Sequence, residues 1–145
     1  MIRRATLSDI DKIVELGIES LQLNDPYPEL RICEEKVREG ATEMVSGNAH
    51  FAWVDEQDGE VVGAVCALTS EILFHERKQA SVLMYYTRRP GGGGWLIREL
   101  LRWWRSRPGI KMLTFILEAG TDPKVGEFLV KQGLKKELPC YVGVK

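Results

Sequence analysis

Between residues 8 and 21 the apolar positions fall at Ile10, Ile13, Val14, Ile18 and Leu21, a spacing that lines one face of a helix. Thr6 or Ser8 can cap its start, with Asp9 or Asp11 three residues further on, as a capping box needs. The stretch before it, MIRRAT, predicts a short strand. Residues 34–45 repeat the helical spacing, with Val37, Ala41, Met44 and Val45 on one side. The intervening NDPYPE, residues 24–29, breaks the pattern as a loop. The period then changes. Residues 50–54 and 60–68 predict two strands joined over Asp58-Gly59, a strong hairpin signal. A further strand covers residues 80–87. Helical spacing returns over residues 95–107, with Leu96, Leu100, Leu101 and Trp104 as the core face, and stops at Pro108-Gly109. KMLTFILE, residues 111–118, predicts a buried strand. A helix from Pro123, capped by Thr121 or Asp122, ends at Gly133. KKELPCYVGV, residues 135–144, supplies a last strand. The order β-α-α-β-β-β-α-β-α-β predicts a mixed α/β (α+β) fold, a single domain over residues 1–145.

Composition narrows the classes of function. The longest apolar run, residues 61–68, is far too short to span a bilayer, and MIRRAT has no apolar signal region. Cys33, Cys66 and Cys140 are odd in number and far apart, which argues against a disulfide framework or a zinc site and for a reducing cytoplasmic setting. Net charge is −1, but it is unevenly spread. Residues 1–76 hold 6 Lys/Arg against 16 Asp/Glu, while residues 77–111 hold 9 basic residues against Glu99 alone. The basic middle suggests an anionic ligand there, and the acidic first half a cationic one; solvated faces are the plainer explanation.

The basic segment contains Gly91, Gly92, Gly93 and Gly94, between a strand and the helix that begins near Trp95. A helix N-terminus has unpaired N–H groups and a partial positive charge, and it attracts phosphate. Glycines remove side chains from the approach and permit positive φ, so several amides can face one anion. Arg88 and Arg89 stand beside the loop, and Arg98, Arg102 and Arg105 follow on one helical stripe. The Gly-Lys-Ser/Thr ending of a P-loop is missing, and the spacing is not that of a dinucleotide fingerprint.

In this context Arg89-Pro90-Gly91-Gly92-Gly93-Gly94 resembles the acyl-CoA loop of the GCN5-related N-acetyltransferases, which reads Gln/Arg-x-x-Gly-x-Gly/Ala. IRRATLSDIDKIVEL is similar to that family's first strand and helix, and DGEVVGAVCAL to its second and third strands. KVGEFLVKQGL is similar to its late helix, with Leu134 where the family has an aromatic. The resemblance covers nearly the whole chain. It implies a mixed, mostly antiparallel sheet of about six to seven strands flanked by about four helices, and acetyl transfer from acetyl-CoA to an amine by direct attack, without a metal.

Carried over residue by residue, the resemblance places the pantetheine arm against the backbone of Val82, Met84 and Tyr86. It places the diphosphate on Gly91 to Gly94 and Trp95, beside Arg88 and Arg89. The amine must lose a proton and the leaving thiolate must gain one. Many family members use a tyrosine on the helix after the fifth strand; here that position is Leu129. Tyr141, or Tyr85 or Tyr86, is the candidate replacement. Glu71 and His75, between the third and fourth strands, are candidate bases, histidine because it titrates near neutrality; Glu118 is a third. His50, Trp103, Trp104, Cys66 and Cys140 read as structural.

Substrates in the family contact the first two helices and their connection, which here carry Asp25, Tyr27, Glu29 and further acids. The expected acceptor is therefore a cationic amine: a lysine side chain, a protein N-terminus, a polyamine or an aminoglycoside. It belongs to a small molecule or a protein, with no membrane or nucleic acid involved; a homodimer is compatible with the family. Two alternatives remain: a coenzyme A-binding regulatory module without catalysis, which Leu129 favours, and a transferase directed at aminoacyl-tRNA through the arginine stripe. On the main reading, glutamate at Gly92 or Gly94 abolishes coenzyme binding and leaves the fold. Removing Arg89 costs about 1.5–3 kcal/mol of coenzyme affinity if it touches phosphate. Calorimetry checks both.

Overall fold

The computed structural model describes residues 1–23, 25, 27–117, 121–137 and 143–145. Its centre is a hairpin whose turn is set by local chemistry: Asp58 and Gly59 have φ of 51° and 81°, the left-handed pair that matches the twist of the flanking strands. The hairpin joins β2 (Phe51–Gln57) to β3 (Glu60–Glu71). β1 (Ile2–Arg4) pairs with β2, and β4 (Lys78–Thr87) with β3, all antiparallel. β5 (Ile110–Phe115) lies parallel to β4, giving one sheet in the order β1-β2-β3-β4-β5. A parallel neighbour needs a crossover, and α3 (Gly93–Arg105) supplies it. α1 (Ile10–Leu23) and α2 (Glu34–Val45) precede the hairpin, and α4 (Pro123–Lys131) follows β5.

Strand alternation sorts the core into two faces. Ala52, Val54, Ala64 and Cys66 pack with Ile13, Val14, Leu16, Ala41 and Met44 of α1 and α2. Phe51, Val65 and Ala67 pack with Leu96 and Leu100 of α3, and Trp103 tilts against Phe51 at 5.2 Å between ring centroids. Ile97, Leu101 and Leu129 join α3 to α4. Both faces of the sheet are covered, so β3 is apolar at consecutive positions rather than alternating.

One irregularity shapes the second half of β4. Cys66 faces Met84 and Ala67 faces Val82, so Leu83 is an extra residue in β4, a bulge. The bulge breaks the period of two. Val82 and Tyr85 both pack in the α3 cluster, while Met84 and Tyr86 pack with α1 and α2. The pairing of β4 with β5 ends at Val82 and Phe115, one residue before the bulge.

The predicted elements from β1 to α4 appear in the predicted order, with physical differences. The sheet has five strands among the described residues, not six to seven. The expected last strand falls largely on residues 138–142, outside the described residues, and its flanks at 135–137 and 143–145 have no regular structure. β5 ends at Phe115, short of the predicted residue 118. α3 begins at Gly93, so two of the four glycines are helical. No helix among the described residues is long and apolar enough to cross a membrane.

The turn of 3-10 helix at Leu7–Asp9 is tied to the sheet through its acid. Arg3 donates from Nη1 and Nη2 to the two oxygens of Asp9 at 2.8 and 2.9 Å, and the Thr6 N–H donates to Oδ2 at 2.8 Å. The Arg3 guanidinium, ahead of the Thr6 contacts, holds the buried Asp9 carboxyl down at about 2, against an ordinary 3.8. A folded-state value below the unfolded one stabilises the fold above the unfolded value, and the gain is lost as pH falls toward the folded one. Asp9→Asn is therefore expected to cost about 2 kcal/mol at neutral pH. It should also flatten the stability profile between about pH 4 and pH 2, measured by urea unfolding at several pH values.

Candidate active site

At the end of β4 the chain turns sharply. The Arg89 N–H donates to Thr87 Oγ1 at 3.0 Å, and the Gly92 N–H donates to the Arg89 carbonyl at 3.0 Å. Pro90 and Gly91 are the central residues of that turn. Gly91 has φ of 72°, so proline followed by a left-handed glycine gives the residue pattern of a type II turn. Gly92 caps α3, and its carbonyl accepts from the Trp95 N–H at 3.3 Å.

The four glycines have different reasons to be glycine. Gly91 needs its positive φ. A Cβ on Gly92 would sit 2.5 Å from Nε of Arg89 and 3.1 Å from its Cβ. One on Gly93 would run into the Tyr85 hydroxyl and lie 2.7 Å from Cζ. Gly94 differs from Gly92 and Gly93: as at Gly91, nothing among the described residues lies within 4 Å of the space its Cβ would fill, and its φ is not positive. In a helix, glycine costs about 1 kcal/mol relative to alanine, and no neighbour among the described residues requires it. The vacant space over Gly94 opens into a cleft.

That cleft, about 1150 Å³, fills the gap between β4 and β5 beyond Val82 and Phe115. Val82 to Thr87 run along it, with the glycine loop, Ile97 and the start of α4 on one side and α1 and α2 on the other. Of the residues expected at the coenzyme, Val82, Met84, Tyr86, Arg89, Gly91, Gly93 and Gly94 line it. Gly92, Arg88 and Trp95 do not. Gly92 has its amide committed to the turn. Arg88 points to α1, where Nη2 meets Glu15 at 2.7 Å and Nε meets Glu19 at 2.9 Å. Trp95 is largely exposed beneath Arg98, 4.7 Å from the ring centroid. Arg89 turns inward, with Nη2 2.8 Å from Oδ2 of the fully buried Asp55.

Glu71 and His75, expected beside the acyl group, lie instead in a separate cleft of about 700 Å³ with Arg77, Lys78 and Lys111. The reason is topological. The β3–β4 connection stands at the start of β4, and the glycine loop follows its end. A ten-residue strand separates the two by roughly 30 Å. Asp25, Tyr27 and Glu29 are also outside the large cleft: Asp25 Oδ1 accepts from the Tyr27 N–H at 2.9 Å, a local turn. Leu21, Leu23, Val37 and Lys36 form that end of the cleft. Glu118 and Tyr141 lie outside the described residues.

Other groups in the cleft titrate upward. Burial, then the negative charge of Asp122, raises the Tyr85 phenol. Burial also raises Tyr86, whose hydroxyl donates to Glu19 at 2.7 Å. Arg88 first, and Tyr86 second, hold Glu19 below the usual carboxylate range. Both phenols therefore stay protonated at neutral pH and can donate. Burial pushes the Cys66 thiol up to about 12, which fits a packing role. Leu129 packs in the α3–α4 core, and the α4 residues that face the cleft are Lys124, Val125 and Phe128. His50 Nδ1 accepts from the Thr69 N–H at 3.0 Å and is structural. The arginine stripe has intramolecular partners: Arg102 pairs with Glu99 at 2.5 Å, and Arg105 donates to the Gln132 carbonyl at 2.7 Å.

No protein-family profile matches the sequence, and no curated protein sequence does. Solved structures do match. A predicted acetyltransferase from Clostridium acetobutylicum, solved with acetyl-CoA, is 14% identical, with a TM-score of 0.73 over 100% of this chain and 95% of that one. An aminoglycoside acetyltransferase from a soil metagenomic sample, solved with sisomicin, is 16% identical, with a TM-score of 0.64 over 100% and 96%. A second from such a sample is 17% identical, with a TM-score of 0.67 over 100% and 98%. At these identities the likeness is one of fold. The chain shares the fold of these solved structures over its full length.

The contact between Gly93 and Tyr85 can be tested. Gly93→Ala is expected to destabilise the protein by about 1–3 kcal/mol through overpacking. Adding Tyr85→Phe removes the blocking hydroxyl and should recover part of the loss. Denaturant unfolding of the four proteins in the cycle measures this, and strictly additive effects would show that the groups do not touch.

Proposed function

We propose that the protein is an N-acetyltransferase that moves an acetyl group from acetyl-CoA to a primary amine, one that is cationic when free. The space over Gly94 carries this reading: a helical glycine that no described neighbour requires, at the mouth of a cleft that begins where β4 and β5 part. The amides of Gly91, Gly93 and Gly94, at the positive end of α3, suit a diphosphate. Beyond Val82, the β5-side edge of β4 is unpaired among the described residues and suits an extended arm laid along it, as an added strand would be. Acetyl-CoA would supply the activated acyl group. The chain's residues would hold its length, exclude water from the apolar gap and present the carbonyl to the amine.

The amine must arrive neutral or lose its proton to water, because Glu19, held anionic by Arg88, is a weak base. The departing sulfur needs a proton. Tyr85 and Tyr86, both raised by burial and so protonated at neutral pH, line the cleft and are able to give one, as is the ammonium of Lys124. The acceptor class rests on the acidic first half of the chain. The solved aminoglycoside acetyltransferases of the same fold support an amine acceptor in general.

A second reading, a module that binds the coenzyme without catalysis, is favoured by α4, whose cleft-facing residues include no phenol. One experiment separates the two. Acetyl-CoA is mixed with a lysine peptide, spermidine or an aminoglycoside, and free thiol is followed. The transferase reading predicts acceptor-dependent thiol release. Binding by calorimetry with no release under any acceptor supports the module, and no binding defeats both. Gly94→Glu, which puts a carboxylate where phosphate would lie, is expected to weaken acetyl-CoA by at least about 3 kcal/mol. It should leave the melting temperature nearly unchanged. Gly92→Glu is the poorer probe, because a side chain there strikes Arg89 and disturbs the loop itself.

A further inference from the structure

Asp55 is fully buried in β2, on the sheet face that packs against α3. Its Oδ1 accepts from Gln57 Nε2 at 2.6 Å and lies 3.5 Å from the Met1 ammonium. Its Oδ2 lies 2.8 Å from Arg89 Nη2. That last contact is an ion pair, not a directed hydrogen bond: Oδ2 makes no hydrogen bond, and Nε of Arg89, also buried, makes none. Only the Asp55 end is fully buried, the Arg89 side chain being 37% exposed, and a buried carboxylate left incompletely satisfied is a poor source of stability. Its presence calls for another role.

The sheet register suggests one. Asp55 lies opposite Gly63, and Gly63 opposite Thr87, so the three form a row across β2, β3 and β4. Gly63 has no room for a side chain: a Cβ there would lie 2.9 Å from both Cβ and Oγ1 of Thr87. Thr87 Oγ1 in turn accepts from the Arg89 N–H at 3.0 Å. The Arg89 side chain thus reaches back across a bare position to Asp55, and its Nε stands against the vacant Cβ site of Gly92. Arg89 is gripped at both ends, with the glycine turn resting on it.

We propose that Asp55 is a positioning residue for the glycine loop: its buried carboxylate holds Arg89 against Gly92 and so fixes the amides that meet the diphosphate. This rests on the reading of the loop as the diphosphate site. It reverses the simplest view of Arg89. The guanidinium acts through the loop as a strut rather than on the phosphates as a counterion.

Calorimetry of the full chain with acetyl-CoA, at several salt concentrations, tests the proposal because the two views of Arg89 predict opposite signs. Asp55→Asn, similar in shape but uncharged, is expected to weaken acetyl-CoA about tenfold, a common cost of losing one orienting contact behind a ligand-binding group. Arg89→Gln should weaken it to a similar degree with no change in salt dependence, and the double variant should be no weaker than either single one, since all three lose the same contact. An Asp55→Asn protein that binds as tightly as the parent, or more tightly, overturns the proposal, because an arginine freed from its partner would then be serving the phosphates. A shallower salt dependence in Arg89→Gln overturns it as well. If thermal unfolding shows that Asp55→Asn does not fold, the salt dependence of Arg89→Gln decides alone. Gly94→Glu keeps the two readings apart. Full affinity in that variant removes the loop as the site, and this proposal with it; lost affinity there with unchanged affinity in Asp55→Asn removes only the strut.

Discussion

Everything at the candidate site depends on the parting of two parallel strands. β4 and β5 share hydrogen bonds as far as Val82 and Phe115, and Leu83 then adds a residue that β3 does not match. An extra residue bends a strand and increases its twist. Here it also turns consecutive side chains to new faces, so Tyr85 goes to the α3 side and Tyr86 to the α1 side. Adjacent strand residues always face opposite ways, so the irregularity decides which phenol joins which wall, next to the point where β4 and β5 part.

The loop at the end of β4 shows how one sequence feature can answer several demands. Gly91 serves the turn, Gly92 makes room for Arg89, and Gly93 makes room for Tyr85. Gly91 and Gly94 both face open space, but only Gly91 has a positive φ to account for it, so among the described residues no neighbour accounts for Gly94. Charge divides in the same way. Arg88 belongs to the acids of α1 and Arg89 to Asp55, so the positive field at the loop comes chiefly from the helix end and its amides. Such a site is preorganised: its donors are backbone groups fixed by packing.

Much of this was legible in the sequence where the signal is local. The Asp58-Gly59 turn, the α2 boundaries and the proline-started α4 each follow from neighbouring residues, and the structure has them as expected. The location of the loop between β4 and α3 was legible too. What escaped was long-range. Asp55 falls just past the predicted strand 50–54, among the polar residues that lead into the Asp58-Gly59 turn, and nothing near it announces Arg89. The bulge at Leu83 is a matter of register with β3 and leaves no mark in the composition of β4. Glu71 and His75 precede β4 in the chain, but which end of that strand faces the large cleft is a matter of tertiary packing, and they line a separate cleft at its start. The phenols, offered as substitutes for the missing α4 tyrosine, do line the cleft, and only the bulge decides which wall each joins.

Titration with acetyl-CoA, followed through the backbone amide shifts, reads the cleft residue by residue. Saturable changes are expected to be largest at Gly91, Gly93 and Gly94, to continue along β4 from Leu83 to Thr87, and to leave the β3–β4 connection near Glu71 and His75 undisturbed. Changes concentrated at that connection, or none at the glycine loop under saturation, would contradict the placement of the coenzyme in this cleft.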